Sequence, residues 1–333
     1  MGQRKRHVDA QQNAKKSQGR RQPRKGCVVL HTAPFYHTFL KIIPFGIYVL
    51  RKIYLSAYIQ TSLPALEFWY MPDNIPLKYP VVLVHGIIAH DRASAIKFWG
   101  RIPEVLTSRG IKVFLGNTDA WGSVDTNALL LKKTIENIVS QTKAEKVNII
   151  AHSKGGIDSR YLIGKHDFGG KIASLTTICT PHHGSEIADL IYNKKITHKK
   201  FFRKILSAFG ELYGDINPDV CRLIYQLTTE KMKKFNETIP MDTNVFYQSL
   251  YTTIEDAADI KIFPYTYAYI YKISGKNDGL VSECSAQWGN NITKIEGGIS
   301  HVGILDYRSK EISGINIPGI YLKMAEGLSN NNF

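Results

Sequence analysis

From Tyr79 onward the chain alternates short runs of β-branched and aliphatic residues with longer stretches whose apolar positions recur every three or four residues. That is the pattern of a mostly parallel sheet covered by helices on both faces. Residues 81–84 read as the first strand, ending at His85-Gly86. Phe98, Ile102, Val105 and Leu106 then fall at helical spacing, and residues 112–115 supply the next strand. Ala128, Leu131, Ile135, Ile138 and Val139 form a second helical stripe ahead of the run 147–150, which ends directly at Ser153, and Gly155-Gly156 opens the following helix. Residues 172–178 and 267–273 read as later strands. In open sheets of this kind the chemistry sits at the carboxyl ends of the strands.

This alternation assigns residues 75–327 to one α/β domain and leaves the first 70 residues to be read separately. The 333-residue chain carries a formal charge of +15, but the charge is concentrated: residues 1–26 hold nine Lys or Arg against one Asp and have almost no aliphatic side chains. Such an arm cannot bury enough surface to offset its ordering entropy, so it reads as a solvated, disordered tail and not as a nucleic-acid site. Residues 27–70 begin with an apolar stretch interrupted by Pro34, Lys41 and Pro44 and closed by Arg51-Lys52. A basic leader before an apolar run fits a membrane anchor or an extracytoplasmic, secreted catalytic domain, and residues 27–60 fit equally a peripheral helix at a lipid surface. Myristoylation is excluded because Arg6 stands where Ser or Thr is required. Cysteines 27, 179, 221 and 284 show no C-x-x-C pairing.

The turn Ala151-His152-Ser153-Lys154-Gly155 is the first candidate for chemistry. A sharp strand-to-helix turn that exposes a serine needs small residues two before and two after it, which Ala151 and Gly155 supply. The pattern alone arises by chance on the order of 0.2 times in a chain this long. The strand before it and the helix after it give it weight. A serine hydroxyl needs a base within hydrogen-bond reach and an acid to orient that base. In the chain order Ser, Asp, His, Asp278 in the segment 276–281 is the acid, and His301, the sole histidine downstream of it, is the base. The oxyanion would be met by backbone amides of Ile87, after His85-Gly86, and of Lys154. His85 and His152 read as loop-shaping histidines, and Lys154 as a positive charge beside the site.

These segments resemble the bacterial triacylglycerol lipases called family I true lipases. The resemblance covers residues 79–306 and rests on residues 79–86 (YPVVLVHG), 146–156 (KVNIIAHSKGG), 180–185 (TPHHGS) and 277–281 (NDGLV), with Cys284 and His301 following. It implies an α/β-hydrolase fold, a mostly parallel central sheet with helices on both faces and a helical lid insertion. It further implies Ser153, Asp278 and His301 as catalytic triad and the amides of Ile87 and Lys154 as oxyanion hole. Many relatives hold calcium through an Asp two residues after the catalytic His. Here that position is Gly303, leaving Asp306 or Asp259 as substitutes, so no cofactor or metal is expected. Cys284 matches a family half-cystine whose partner is missing from residues 243–251.

The lid is expected at about residues 186–240. There Phe201, Phe202, Ile205, Leu206, Phe209, Leu212 and Tyr213 share one helical face, ringed by Lys194, Lys195, Lys199, Lys200, Arg203 and Lys204. A basic amphipathic helix suits an anionic lipid surface, and equally a cap packed over the core. Either way an apolar roof favours acyl chains as the bound group. The expected activity is hydrolysis of long-chain acyl esters through an acyl-enzyme on Ser153. The same triad would serve a carboxylesterase of short soluble esters, a phospholipase or an acyl transferase. The non-enzymatic alternative is a membrane-attached binding protein on a hydrolase scaffold.

Overall fold

The computed structural model describes residues 74–87, 98–194, 214–255, 263–312 and 314–333. The arm 1–26, the segment 27–70, the apolar lid residues Phe201, Phe202, Ile205 and Phe209, and Asp259 lie outside the described residues.

Six parallel strands form one sheet: β1 (Val81–Val84), β2 (Val113–Leu115), β3 (Val147–His152), β4 (Ile172–Ile178), β5 (Phe246–Tyr251) and β6 (Ile292–Lys294), in the spatial order β2-β1-β3-β4-β5-β6. Such a sheet needs helical crossovers, and these cover both faces. The helices are α1 (Ile102–Ser108), α2 (Val124–Thr142), α3 (Lys154–Lys165), α4 (Glu186–Asn193), α5 (Val220–Gln226), α6 (Thr229–Thr238), α7 (Pro264–Ser274), α8 (Glu283–Ala286) and α9 (Ile317–Asn330). Strand alternation explains why β1 is apolar at every position. Val81 and Leu83 enter a core with Ile102 and Leu106 of α1 and with Tyr321 and Ala325 of α9, whereas Val82 and Val84 enter a second core with Leu131 and Ile135 of α2 and Leu162 of α3. A third apolar cluster joins Val124 and Ile157 to Ala188, Leu223, Leu227 and Met232, with Ile87 and Trp121 packed against it.

One element differs from the sequence expectation. Residues 267–273 are not a strand but lie in α7, with Pro264 in its first turn. Tyrosines at 265, 267, 269 and 271 imitate the two-residue period of a strand, yet Ile270 is the one residue of this helix whose side chain is buried. The sheet is completed instead by β5 and β6, whose mixed polar sequences FYQSLY and ITK carry a weaker β signal. Among the described residues no helix is long and apolar enough to cross a membrane.

Candidate active site

β3 ends in a turn at Ser153, which has φ 52° and ψ −128°, a conformation a non-glycine residue adopts only under constraint. The constraint is visible. The Ser153 amide donates to the carbonyl of Ile178 at 2.9 Å, and its own carbonyl accepts from the Thr180 hydroxyl at 2.8 Å and from the Gly156 amide at 3.1 Å. Gly86 lies against the same residue: a Cβ there would fall 2.8 Å from Ser153 Cβ, so only glycine fits.

The three residues separated in sequence meet here. Ser153 Oγ lies 3.0 Å from His301 Nε2, and His301 Nδ1 donates to Asp278 Oδ2 at 2.7 Å, which fixes the tautomer that leaves Nε2 as an acceptor for the serine proton. Asp278 Oδ1 is held in turn by the amides of Leu280 at 2.9 Å and Val281 at 2.8 Å. The His301 amide donates to the Asp278 carbonyl at 2.8 Å, so the two loops are joined by backbone as well as side chain. Asp278, expected on a turn after a strand, instead sits on a turn following α7, yet it reaches the same end of the sheet. The array can withdraw a proton from Ser153 as the oxygen attacks an electrophilic carbonyl.

Ile87 follows β1, half-buried beside Gly86, and Lys154 is the first residue of α3. Their amides therefore belong to the two loops that border Ser153. The Lys154 side chain does not place charge beside the site, contrary to the sequence reading. It turns inward, 1% exposed, and donates to both oxygens of Asp158 at 2.7 and 2.8 Å. The i, i+4 spacing puts the pair on one helix face. Burial lowers the Lys154 ammonium and raises the Asp158 carboxyl, each shift being countered by the partner.

The neighbouring histidines brace the loops. His85 places Nδ1 at 2.7 Å from the Gly86 carbonyl and Nε2 at 3.0 Å from that of Thr118. His152 donates from Nε2 to the His301 carbonyl at 2.9 Å, and its Nδ1 is buried without a partner. Burial, reinforced by the neighbouring His301, holds His152 well below the usual histidine range.

Two side chains at the site carried no sequence signal of their role. Cys179, at the end of β4 with φ 51°, is fully buried, and its donor atom lies within 4.8 Å of those of Asp278 and His301. Burial, with the Asp278 carboxylate beside it, pushes the thiol well up, so it remains S–H. Its position at a strand's carboxyl end was the one available hint. Among the described residues, Cys179, Cys221 and Cys284 form no disulfide.

Arg101 is the second, 205 residues from Asp306 in sequence. Its amide and Nε donate to Asp306 Oδ2 and its Nη2 to Oδ1, all at 2.8 Å. A calcium ion requires several free oxygen ligands. With both Asp306 oxygens engaged by Arg101 and Gly303 lacking a side chain, the described residues of this turn do not fit one.

The sequence profile of the family described as palmitoyl protein thioesterase matches residues 80–251. Triacylglycerol lipase 2 of Saccharomyces cerevisiae is 29% identical over 259 residues, covering 72% of this chain and 75% of that protein. A triacylglycerol lipase of Pseudarthrobacter phenanthrenivorans is 27% identical over 273 residues, covering 65% of this chain and 85% of that protein. Among solved structures, the lipase of Staphylococcus hyicus superposes with a TM-score of 0.61 at 19% identity, covering 80% of this chain and 98% of that one, which establishes the common fold.

Proposed function

This chain belongs to the palmitoyl protein thioesterase family and is a lipase-type ester hydrolase, and within that class we propose that it hydrolyses long-chain carboxylic esters, triacylglycerols foremost, through an acyl-enzyme on Ser153. The observation that carries this reading is the continuous hydrogen-bond path from Ser153 Oγ through His301 to Asp278, at 3.0 and 2.7 Å. His301 accepts the serine proton as Oγ attacks the acyl carbon and returns it to the departing alcohol. The amides of Ile87 and Lys154 receive the developing oxyanion. Water, deprotonated by the same imidazole, then releases the fatty acid.

The apolar cluster that includes Ile87 supports an acyl chain as the group lying beside the oxyanion donors. A lipid-ester substrate presented at a membrane or droplet surface, met by the basic residues of the expected lid, belongs to the same proposal, as does an extracytoplasmic location, which cell fractionation tests. The family name favours a second reading, S-acyl thioesters. The acylation chemistry is shared, but a thiolate leaves with less need of a proton than an alkoxide does.

An organophosphonate should label Ser153, and Ser153→Ala or His301→Ala should lower turnover on the order of 10⁶-fold by analogy with other triads. Normal hydrolysis by Ser153→Ala, or labelling of a different serine, sinks the assignment. Rates on emulsified long-chain glycerides, soluble short esters, phospholipid vesicles and palmitoyl thioesters then rank the substrate classes. A lipase gains rate as the emulsion forms.

A further inference from the structure

Residues 98–101 lie between β1 and α1, and between them they contact the histidines beside the oxyanion loop and the nucleophile, α9, and the turn after His301. The Phe98 ring sits edge-on to His85, beside the oxyanion loop, at 5.7 Å, and to His152, next to the nucleophile, at 6.1 Å. Trp99 packs edge-on against Tyr321 of α9 at 6.3 Å, and the Tyr321 hydroxyl donates to the Ile304 carbonyl at 3.0 Å. Gly100, at φ 50°, is pressed so closely on the backbone of Asp306 that a Cβ would collide with its carbonyl. Arg101 closes the set with three hydrogen bonds to the Asp306 carboxylate, whose side chain is fully enclosed while that of Arg101 is 41% exposed.

Asp306 is not an ordinary surface acid. It ends the short helical turn Gly303–Leu305 that follows His301, and it does so at φ 55°, in the left-handed region that a non-glycine residue occupies at a cost. The turn carrying His301 is thus fixed at successive points. The His301 amide and carbonyl are bonded to Asp278 and His152, Ile304 to Tyr321, and Asp306 to Arg101. A planar guanidinium meeting a carboxylate through two parallel bonds defines direction as well as distance, which a point charge does not.

We infer that residues 98–101 form a brace locking the oxyanion loop, the nucleophile turn and the His301 turn into one geometry, with Arg101 as the positioning residue for His301 acting through Asp306. The inference rests on the acyl-enzyme reading of Ser153. Arg101 touches no reacting atom. It supplies at the base loop the fixed positive charge and the directional bonds that hold His301 at hydrogen-bond distance from Ser153. Positional errors on the order of 1 Å cost about 100-fold in rate, so the effect falls on turnover and not on substrate binding.

The test compares the full-length wild-type chain with Arg101→Met/Asp306→Leu, which removes both charges together and leaves no buried carboxylate unpaired, and with Arg101→Lys, which keeps the charge and loses the fork. For the double variant, kcat should fall roughly 10- to 100-fold with KM within about threefold, and phosphonate labelling of Ser153 should slow by the same factor. Arg101→Lys should lie between it and wild type. Chelation with EDTA should leave wild-type kcat unchanged. A melting temperature accompanies each variant. If the double variant does not fold, Arg101→Lys decides: a kcat and labelling rate equal to wild type overturns the brace. So does a folded double variant with unaltered kcat, or a wild-type enzyme inactivated by EDTA. Failure of the phosphonate to label Ser153 in the wild type overturns the acyl-enzyme reading instead, so the two failures are distinguishable.

Discussion

Lys154 shows how far a residue's role can depart from its sequence context. Beside a nucleophile a lysine reads as local positive charge, yet its ammonium is enclosed with Asp158, and Asn127 Nδ2 donates to the same carboxylate at 3.0 Å. Two desolvated charges roughly balance each other, whereas one alone does not. Lys154→Met should therefore cost about 3–5 kcal/mol in a denaturant titration, with Lys154→Met/Asp158→Leu recovering most of it. A single-variant loss below about 1 kcal/mol would show that water reaches the pair. The i, i+4 spacing of Lys154 and Asp158 was legible in the sequence, but their enclosure was not, since it depends on the start of α2, where Asn127 donates both to Asp158 and to the carbonyl of Asp119 in the preceding loop. Ser153, Asp278 and His301 were legible for a different reason. Chain order and a shortage of histidines downstream of Asp278 narrowed the choice to one set, whereas Arg101 and Asp306, 205 residues apart, obey no local rule.

At the scale of elements, α7 is the instructive case. Four tyrosines on alternate positions mimic a strand, and tyrosine favours strands by fitting a pleated, half-buried surface, not through an intrinsic backbone preference. Pro264 at the first helical turn and the single inward Ile270 select the helix. The two assignments predict opposite mutational patterns. In a strand Tyr267, Tyr269, Tyr271 and Ile273 would share one face and weigh equally. In the helix Ile270→Ala should cost about 2–4 kcal/mol, whereas Tyr271→Ala, exposed by 56%, should fall within about 0.5 kcal/mol of wild type. Equal losses at the two positions, measured by chemical denaturation, would contradict the helix. Strands 81–84 and 172–178, by contrast, could be read correctly: both are buried on both faces, the first is apolar at every position, and the second has a β-branched or aliphatic residue at every position but Ser174. β5 and β6 depart from that pattern because Gln248 and Ser249 interrupt the one and Lys294 ends the other. Ser249, for one, is buried but satisfied by hydrogen bonds to Thr177 and Trp288.

Across the whole molecule, the same economy of buried polar groups sets a response to pH. Two fully buried histidines have no acceptor ready for a second proton. His152 Nε2 already donates to the His301 carbonyl and its Nδ1 is unpartnered. His182 accepts from Arg160 Nη1 through Nδ1 at 3.1 Å and faces the Thr177 hydroxyl through Nε2 at 3.0 Å. Arg160 is itself buried, its guanidinium 3.8 Å from the Trp288 ring centre and 4.9 Å from that of Phe235, and burial brings its pKa down to about 9, so it is still charged at neutral pH. Protonating His182 would set a second cation against it. Burial first, and then the neighbouring His301 and Arg160, hold both imidazoles well below their ordinary value of 6.5. Below that pH the unfolded chain binds protons that the folded chain refuses, so stability falls as pH falls, and above it the two states bind alike and the contribution vanishes. The melting temperature should therefore be level from pH 7 to 8, as far as these two groups set it, and decline from about pH 6.5 towards 5, each histidine adding a slope of at most about 1.4 kcal/mol per pH unit. His182→Asn should lessen that slope while leaving the Ser153 labelling rate at pH 8 close to wild type, because His182 lies outside the path from Ser153 to Asp278. An undiminished slope in the variant would assign the acid sensitivity to other groups.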